Sequence, residues 1–153
     1  MLIAGATASL LLGSCWTDMC TLADCGRVAE MDLISTPDGA ALEGGSVRVC
    51  VNATCVTSEM PARPSTGNVT GDAALRVTVV LQQAEDGVLT VSARVDPGDL
   101  VFVDGDVYTA EVLDATGGVL ASPAWTAQYG EHYPNGEDCG PTCHTATLTA
   151  LPD

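Results

Sequence analysis

From Val28 onward, apolar and polar positions alternate in short runs with the period of a half-buried β-strand. Val47, Val49 and Val51 alternate with Arg48 and Cys50. Leu75, Val77, Val79 and Leu81 face one way, and Arg76, Thr78, Val80 and Gln82 the other. Leu89, Val91, Ala93 and Val95 alternate with Thr90, Ser92 and Arg94. Tyr108, Ala110 and Val112 share a face of Val107–Leu113. Further strands are predicted over Val28–Ser35, Leu100–Val103, Val119–Ser122, Ala124–Tyr129 and His144–Leu151. Turn formers separate these runs: Thr36-Pro37-Asp38-Gly39, Glu85-Asp86-Gly87, Asp96-Pro97-Gly98-Asp99, Asp104-Gly105-Asp106 and Ala115-Thr116-Gly117-Gly118. No helical period follows the first residues. Eight or nine short strands between turns predict an all-β, antiparallel β-sandwich or barrel.

The sharpest local expectation is a hairpin over Ser46–Ser58. A two-residue loop at Asn52-Ala53 pairs Val51 with Thr54 and Cys50 with Cys55. The latter is a non-hydrogen-bonded pair, where facing side chains approach closest, so a Cys50–Cys55 disulfide is sterically sensible there. Parity turns Val47, Val49, Val51 and Val56 inward and the disulfide outward. The following stretch, Glu59–Asp72, is rich in Pro, Gly, Ser and Thr and reads as a long surface loop. Gly130–Thr142 reads as a second one. Asn52-Ala53-Thr54 and Asn68-Val69-Thr70 match the glycosylation sequon, which we read as chance matches.

The first residues differ from the rest. Met1–Ser14 carries no charged side chain, and its apolar run Leu2–Leu12 is as long as a secretory h-region but too short to span a bilayer. Gly13 and Ser14 supply the small residues of a cleavage site. The pattern Leu12-Gly13-Ser14-Cys15 resembles the lipobox of bacterial lipoproteins. That resemblance implies removal of residues 1–14 and acylation of Cys15, hence a stable anchor on the extracytoplasmic face of the cell membrane. One departure from the pattern is the missing positive n-region: before Arg27 the chain has no Lys or Arg. Residues 1–14 thus read as a signal peptide, 15–27 as a tether and 28–153 as the sandwich domain.

Composition adds the compartment. The chain has 153 residues, of which 46 % are hydrophobic, and a net charge of −15. It has five arginines and no lysine. That balance excludes nucleic acid and electrostatic attachment to anionic lipid. Seven cysteines stand at 15, 20, 25, 50, 55, 139 and 143. With Cys15 acylated, Cys20, Cys25, Cys50, Cys55, Cys139 and Cys143 form an even set for disulfides in an exported chain. Their spacing suggests three local pairs, 20–25, 50–55 and 139–143.

Two further resemblances bear on the fold. The segment Asp106–Leu120, in which a tyrosine opens a strand and a Gly turn leads to the next, resembles the late strands of immunoglobulin-like and fibronectin-like domains. The resemblance implies an immunoglobulin-like sandwich of about eight strands, without the inter-sheet Cys…Trp…Cys spacing of antibody domains. The tail Tyr133-Pro134-Asn135-Gly136 with Cys139-Gly140-Pro141-Thr142-Cys143 resembles the ends of uncharacterised exported actinobacterial proteins, which implies no activity.

Candidate chemistry is sparse. His132, Cys139, Cys143 and His144 have the residue types of a zinc or copper site, in competition with a Cys139–Cys143 disulfide. Asp104 and Asp106 could bind calcium weakly, but the turn-forming role of Asp is the favoured reading. Tyr129 and Tyr133, in or beside a loop, are candidate binding residues for a protein or glycan of the envelope, whereas Trp125 and Phe102 are needed as core. No G-x-S-x-G, H-E-x-x-H or P-loop occurs, so neither catalytic residues nor a cofactor is expected. The expectation is a non-catalytic binding or structural module of the envelope. The alternatives are a metal-binding envelope protein and a small exported hydrolase.

Overall fold

The computed structural model describes residues 25–96 and 98–152. Among these, ten strands form two antiparallel sheets. The first sheet has the order β1 (Ala29–Thr36), β6 (Leu89–Asp96), β5 (Arg76–Gln83), β4 (Thr66–Gly71). The second has the order β10 (Cys143–Ala150), β9 (Ala124–His132), β7 (Val107–Leu113), β2 (Ser46–Val51), β3 (Thr54–Glu59), with β8 (Val119–Ala121) also on β7. The all-β sandwich expected from the alternation is the observed architecture.

The alternating positions explain the register. Val77, Val79, Leu81, Val91, Ala93 and Val95 from the first sheet are all buried, as are Val47, Val49, Val51, Tyr108, Ala110 and Val112 from the second. The two inner faces pack together as one core. In the hairpin, Cys50 pairs with Cys55 and Val51 with Thr54. The Cys50–Cys55 disulfide is formed across it, with Cα atoms 4.0 Å apart. Asn52 takes the positive φ of +53° that the two-residue turn requires and that Asn tolerates.

The structure corrects three local expectations. Glu59–Asp72 is not a loop throughout: Thr66–Gly71 pairs with β5 as an edge strand. Its Gly, Asn and Thr residues hide the strand from any apolar pattern. They suit an edge with one side free, and at Gly67 a Cβ would stand only 3.3 Å from Thr78. Leu100–Val103 is not a strand; it lies in the loop between β6 and β7, with Val101 82 % exposed. The Gly130–Thr142 loop starts later than expected, because β9 runs on to His132. The expected strands Val119–Ser122 and Ala124–Tyr129 are present as β8 and β9, and both line the same side of β7, Ala121 opposite Val112 and Ala124 opposite Thr109. They behave as one strand interrupted at Ser122-Pro123. Proline has no N–H for a ladder, but its carbonyl still accepts from Ala110 N at 3.0 Å.

Each sheet would leave two exposed edges, and the fold closes them in pairs. At one seam β1 meets β10: Ala146 N donates to Val28 O at 2.7 Å, and Cys25 is disulfide-bonded to Cys143. At the other seam β3 meets β4 through side chains. Thr70 Oγ1 donates to Ser58 Oγ at 3.0 Å, and Asn68 Nδ2 donates to Glu59 O at 3.0 Å.

Candidate functional site

The two ends of the sandwich differ in character. One end gathers Cys25, the loop 98–106, the Asn52-Ala53 turn and the loop between β9 and β10. The opposite end gathers the Thr36–Gly45 connection, the Met60–Ser65 connection and the β5–β6 turn.

At the Cys25 end the sulfurs depart from the local pairing. Cys25 bonds to Cys143, 118 residues away, with Cα atoms 5.3 Å apart. Cys25 therefore does not close a loop with Cys20, nor Cys143 with Cys139. The physical reason is topological: β1 and β10 are the edge strands of opposite sheets, and folding brings their starts together. Cys139 is also disulfide-bonded and is buried. Cys15 and Cys20, with the predicted leader, lie outside the described residues.

That wiring decides the availability of the candidate metal ligands. Cys139 and Cys143 are both held in disulfides, so neither offers a thiolate. The histidines diverge as well. His132 pairs with Cys143 and His144 with Glu131 in the β9–β10 ladder. Adjacent residues of a strand point to opposite faces, so the two imidazoles sit on opposite sides of the ribbon. Among the described residues, no group of three or more His, Cys, Asp or Glu side chains could hold a metal ion. His132 Nδ1 lies 3.4 Å from Thr145 Oγ1 on the exposed ribbon, and His144 faces the Phe102 ring at 6.4 Å.

The two tyrosines separate in the same way. Tyr133 is 39 % exposed and donates to Glu131 Oε2 at 3.1 Å. That hydrogen bond, first, and the charge of the same carboxylate push its phenol above the ordinary value. It remains a rim residue open to a partner. Tyr129 is half-buried, and its hydroxyl is committed inward. It donates to Asp106 Oδ2 at 3.1 Å and lies 2.8 Å from the Tyr108 hydroxyl. Since the Tyr129 proton goes to the carboxylate, Tyr108 is the donor of the second bond. Burial is the main cause that pushes the Tyr129 phenol well above its ordinary range, and the Asp106 carboxylate that holds its proton acts in the same direction. Burial also raises Tyr108, and the nearby Asp106 charge adds to it.

Asp106 is the hub of this polar cluster and is only 7 % exposed. Its Oδ1 accepts from Asn52 Nδ2 at 2.8 Å, and its Oδ2 also accepts from Val103 N at 3.0 Å. Asn52 Oδ1 in turn accepts from Val107 N at 2.9 Å. Asp104 Oδ1 accepts from Tyr129 N at 2.8 Å. The two aspartates thus latch the loop and the β2–β3 turn onto β9, which is the turn-forming role expected of them. The sequon asparagine Asn52 has its amide engaged here. The hub escaped the sequence reading, although parity could have found it: Asp106 has the same parity as Tyr108, Ala110 and Val112, so the alternation carried one step back turns an aspartate inward.

Two hollows flank these ends. One, of about 470 Å³, adjoins the disulfide and is lined by Cys25, Val28, Leu100, Val101, Phe102 and His144. The other, of about 490 Å³, lies at the far end and is lined by Leu42, Met60, Pro61, Pro64, Leu81 and Leu89 among others. Compared with known proteins, the chain matches no family model, no curated protein and no solved structure.

Proposed function

We propose that this chain is an exported lipoprotein, held on the extracytoplasmic face of a membrane through Cys15, whose sandwich acts as a non-catalytic binding or structural module of the envelope. The observation that carries the reading is cysteine parity beside the Leu12-Gly13-Ser14-Cys15 pattern. The chain has seven cysteines. Cys25 with Cys143 and Cys50 with Cys55 account for four, and Cys139 is bonded as well. Of the two left in the sequence, one is needed for Cys139 and one is the odd thiol. A lipobox assigns that odd thiol to Cys15 and leaves Cys20 for Cys139. Disulfides themselves support an oxidising compartment. On this reading Cys25 ends a short tether from the lipid, so the hollow lined by Leu42 and Leu89 faces away from the membrane.

The test is intact mass of the protein from the membrane fraction, before and after reduction. The expected mass is that of Cys15–Asp153 plus acyl groups, with a gain of six hydrogens for three disulfides. An unacylated mass, or one that retains residues 1–14, would refute the anchor.

A further inference from the structure

The cleft at the end opposite Cys25 combines an apolar floor with an acidic rim. Leu42, Met60 and Leu81 form the floor with 2, 8 and 6 % of their surface exposed, and half-buried Leu89 forms one wall. The opposite wall is the Pro61–Pro64 stretch, in which Ala62 and Pro64 are exposed. The cleft's volume of about 490 Å³ is in the range of ligand-sized sites. Around it the charges are nearly all of one sign. Glu43 lines the cleft and is exposed. Asp38 stands one residue before the lining Gly39, and Glu85 and Asp86 occupy the turn that leads into Leu89. Arg63, between Ala62 and Pro64, is the one basic residue in these same segments.

An apolar floor gains by burying an apolar group, and four carboxylates against one guanidinium select what accompanies it. A second copy of a chain with a net charge of −15 would bring like charge to like. An anionic surface is excluded on the same ground. We propose that this cleft docks a short segment of a partner protein, an extended peptide with an apolar side chain flanked by Lys or Arg. The apolar group seats over Leu42, Met60 and Leu89, and the flanking cations face Glu43, Asp38 and the Glu85-Asp86 turn. The inference deepens the binding-module reading and is independent of the anchor at Cys15.

The test uses the full oxidised chain in detergent and a phage-displayed random heptapeptide library, followed by anisotropy with the labelled consensus peptide. The expected consensus has a central apolar residue with basic neighbours, and its affinity falls as salt rises. Two rim variants probe the site without touching the core. Ala62→Trp fills the cleft from an exposed position, and Glu43→Arg reverses a rim charge. Each is expected to weaken the consensus peptide roughly tenfold or more, with the near-ultraviolet circular dichroism unchanged. An acidic or neutral consensus overturns the proposal, as does no enrichment over the unselected library. Binding that ignores Ala62→Trp overturns it too. The intact-mass measurement is unaffected by any of these outcomes, so failure of the cleft and failure of the anchor are told apart.

Discussion

Replacing Asp106 by Asn is a nearly isosteric change that the polar cluster should resist. Three donors converge on this buried carboxylate: Asn52 Nδ2 on Oδ1, and Val103 N and the Tyr129 hydroxyl on Oδ2. An amide has one oxygen. Turned to keep Val103 and Tyr129, it points its NH₂ at the NH₂ of Asn52. Asn52 cannot turn to relieve the clash, because its own Oδ1 holds Val107 N. Turned the other way, the amide loses Val103 N, and no rotation restores it. One buried donor is left unpaired in either case, at roughly 1–3 kcal/mol, and the remaining bonds lose their charge assistance. The expected loss for Asp106→Asn is about 2 kcal/mol, and for Asp106→Ala, which strands all three donors, about 4 kcal/mol. The assay is urea unfolding with an unchanged slope; at about 2 kcal/mol per molar, the midpoint for Asn falls by about 1 M. A background variant sharpens the test. Asn52→Gly keeps the +53° backbone and removes the facing amide, so Asp106→Asn should cost about half as much there. A native-like midpoint for Asp106→Asn, or equal costs in both backgrounds, would refute the donor count.

Two further expectations follow from the same description. Cross-linking over 118 residues stabilises by about 5 kcal/mol in the loop-entropy account, and the five-residue hairpin link by about 2 kcal/mol. Yet Cys139 is also bonded, and if its partner precedes Cys25, the same chain ends are already joined. Cys25→Ser with Cys143→Ser should then cost only about 3 kcal/mol, rising to about 8 kcal/mol when Cys139→Ser is added; a full loss of about 5 kcal/mol from the first pair alone would contradict that wiring. The second expectation concerns pH. Folded Tyr108, Tyr129 and Tyr133 all hold their protons above the ordinary phenol value. For a group with a raised folded pKa, the stabilisation is whole below the unfolded value, about 10, and is lost as pH rises towards the folded value. With no lysine in the chain, the alkaline limb is nearly a tyrosine readout. The urea midpoint should hold to about pH 9 and fall above about pH 10, more shallowly in Tyr108→Phe/Tyr129→Phe; an equal slope would show that these phenols are not its source. At the acid end the sign reverses. Arg94 lowers Glu30 through a hydrogen bond and the Thr116 hydroxyl lowers Asp114, so their contributions persist above the carboxylate range and vanish as pH falls through their folded values.

Legibility in the sequence followed the strength of alternation. β2, β3, β5, β6 and β7 have one face buried against the other sheet, so burial writes itself into every second residue. The hairpin register could be read down to the Cys50–Cys55 pair because the two-residue turn leaves no freedom. β4 escaped because an edge strand of Thr, Gly and Asn has little core to face. Leu100–Val103 misled because four apolar residues in a row carry no period, and two of them, Val101 and Val103, face solvent. The disulfide wiring was out of reach for a different reason. Local spacing favours Cys139 with Cys143, whereas the observed partner of Cys143 is set by which strands end each sheet. Tyr129 was read as a contact residue from its place beside a loop, but its inward hydroxyl bonds make it part of the cluster around Asp106.

The two seams of the sandwich are not equally strong, and the difference bears on where it can bind. The core is built mainly of Val, Ala and Leu, and among the described residues Tyr108 is the only aromatic in its most deeply buried set. Small side chains bury little apolar surface each, so the closing of the edges matters more than in an aromatic-rich sandwich. The β1–β10 seam has a covalent bond and a backbone hydrogen bond. The β3–β4 seam has two side-chain bonds, and Asn68 and Thr70 on the β4 side are only half-buried. Hydrogen bonds of that kind contribute about 1 kcal/mol each, far less than a cross-link. Local opening starts where buried contacts and protected bonds are fewest. The Met60–Ser65 connection between β3 and β4 carries one wall of the acidic cleft. The Cys25–Cys143 and Cys50–Cys55 cross-links both lie at the end opposite the cleft, so among the described residues the cleft walls are held by packing and hydrogen bonds.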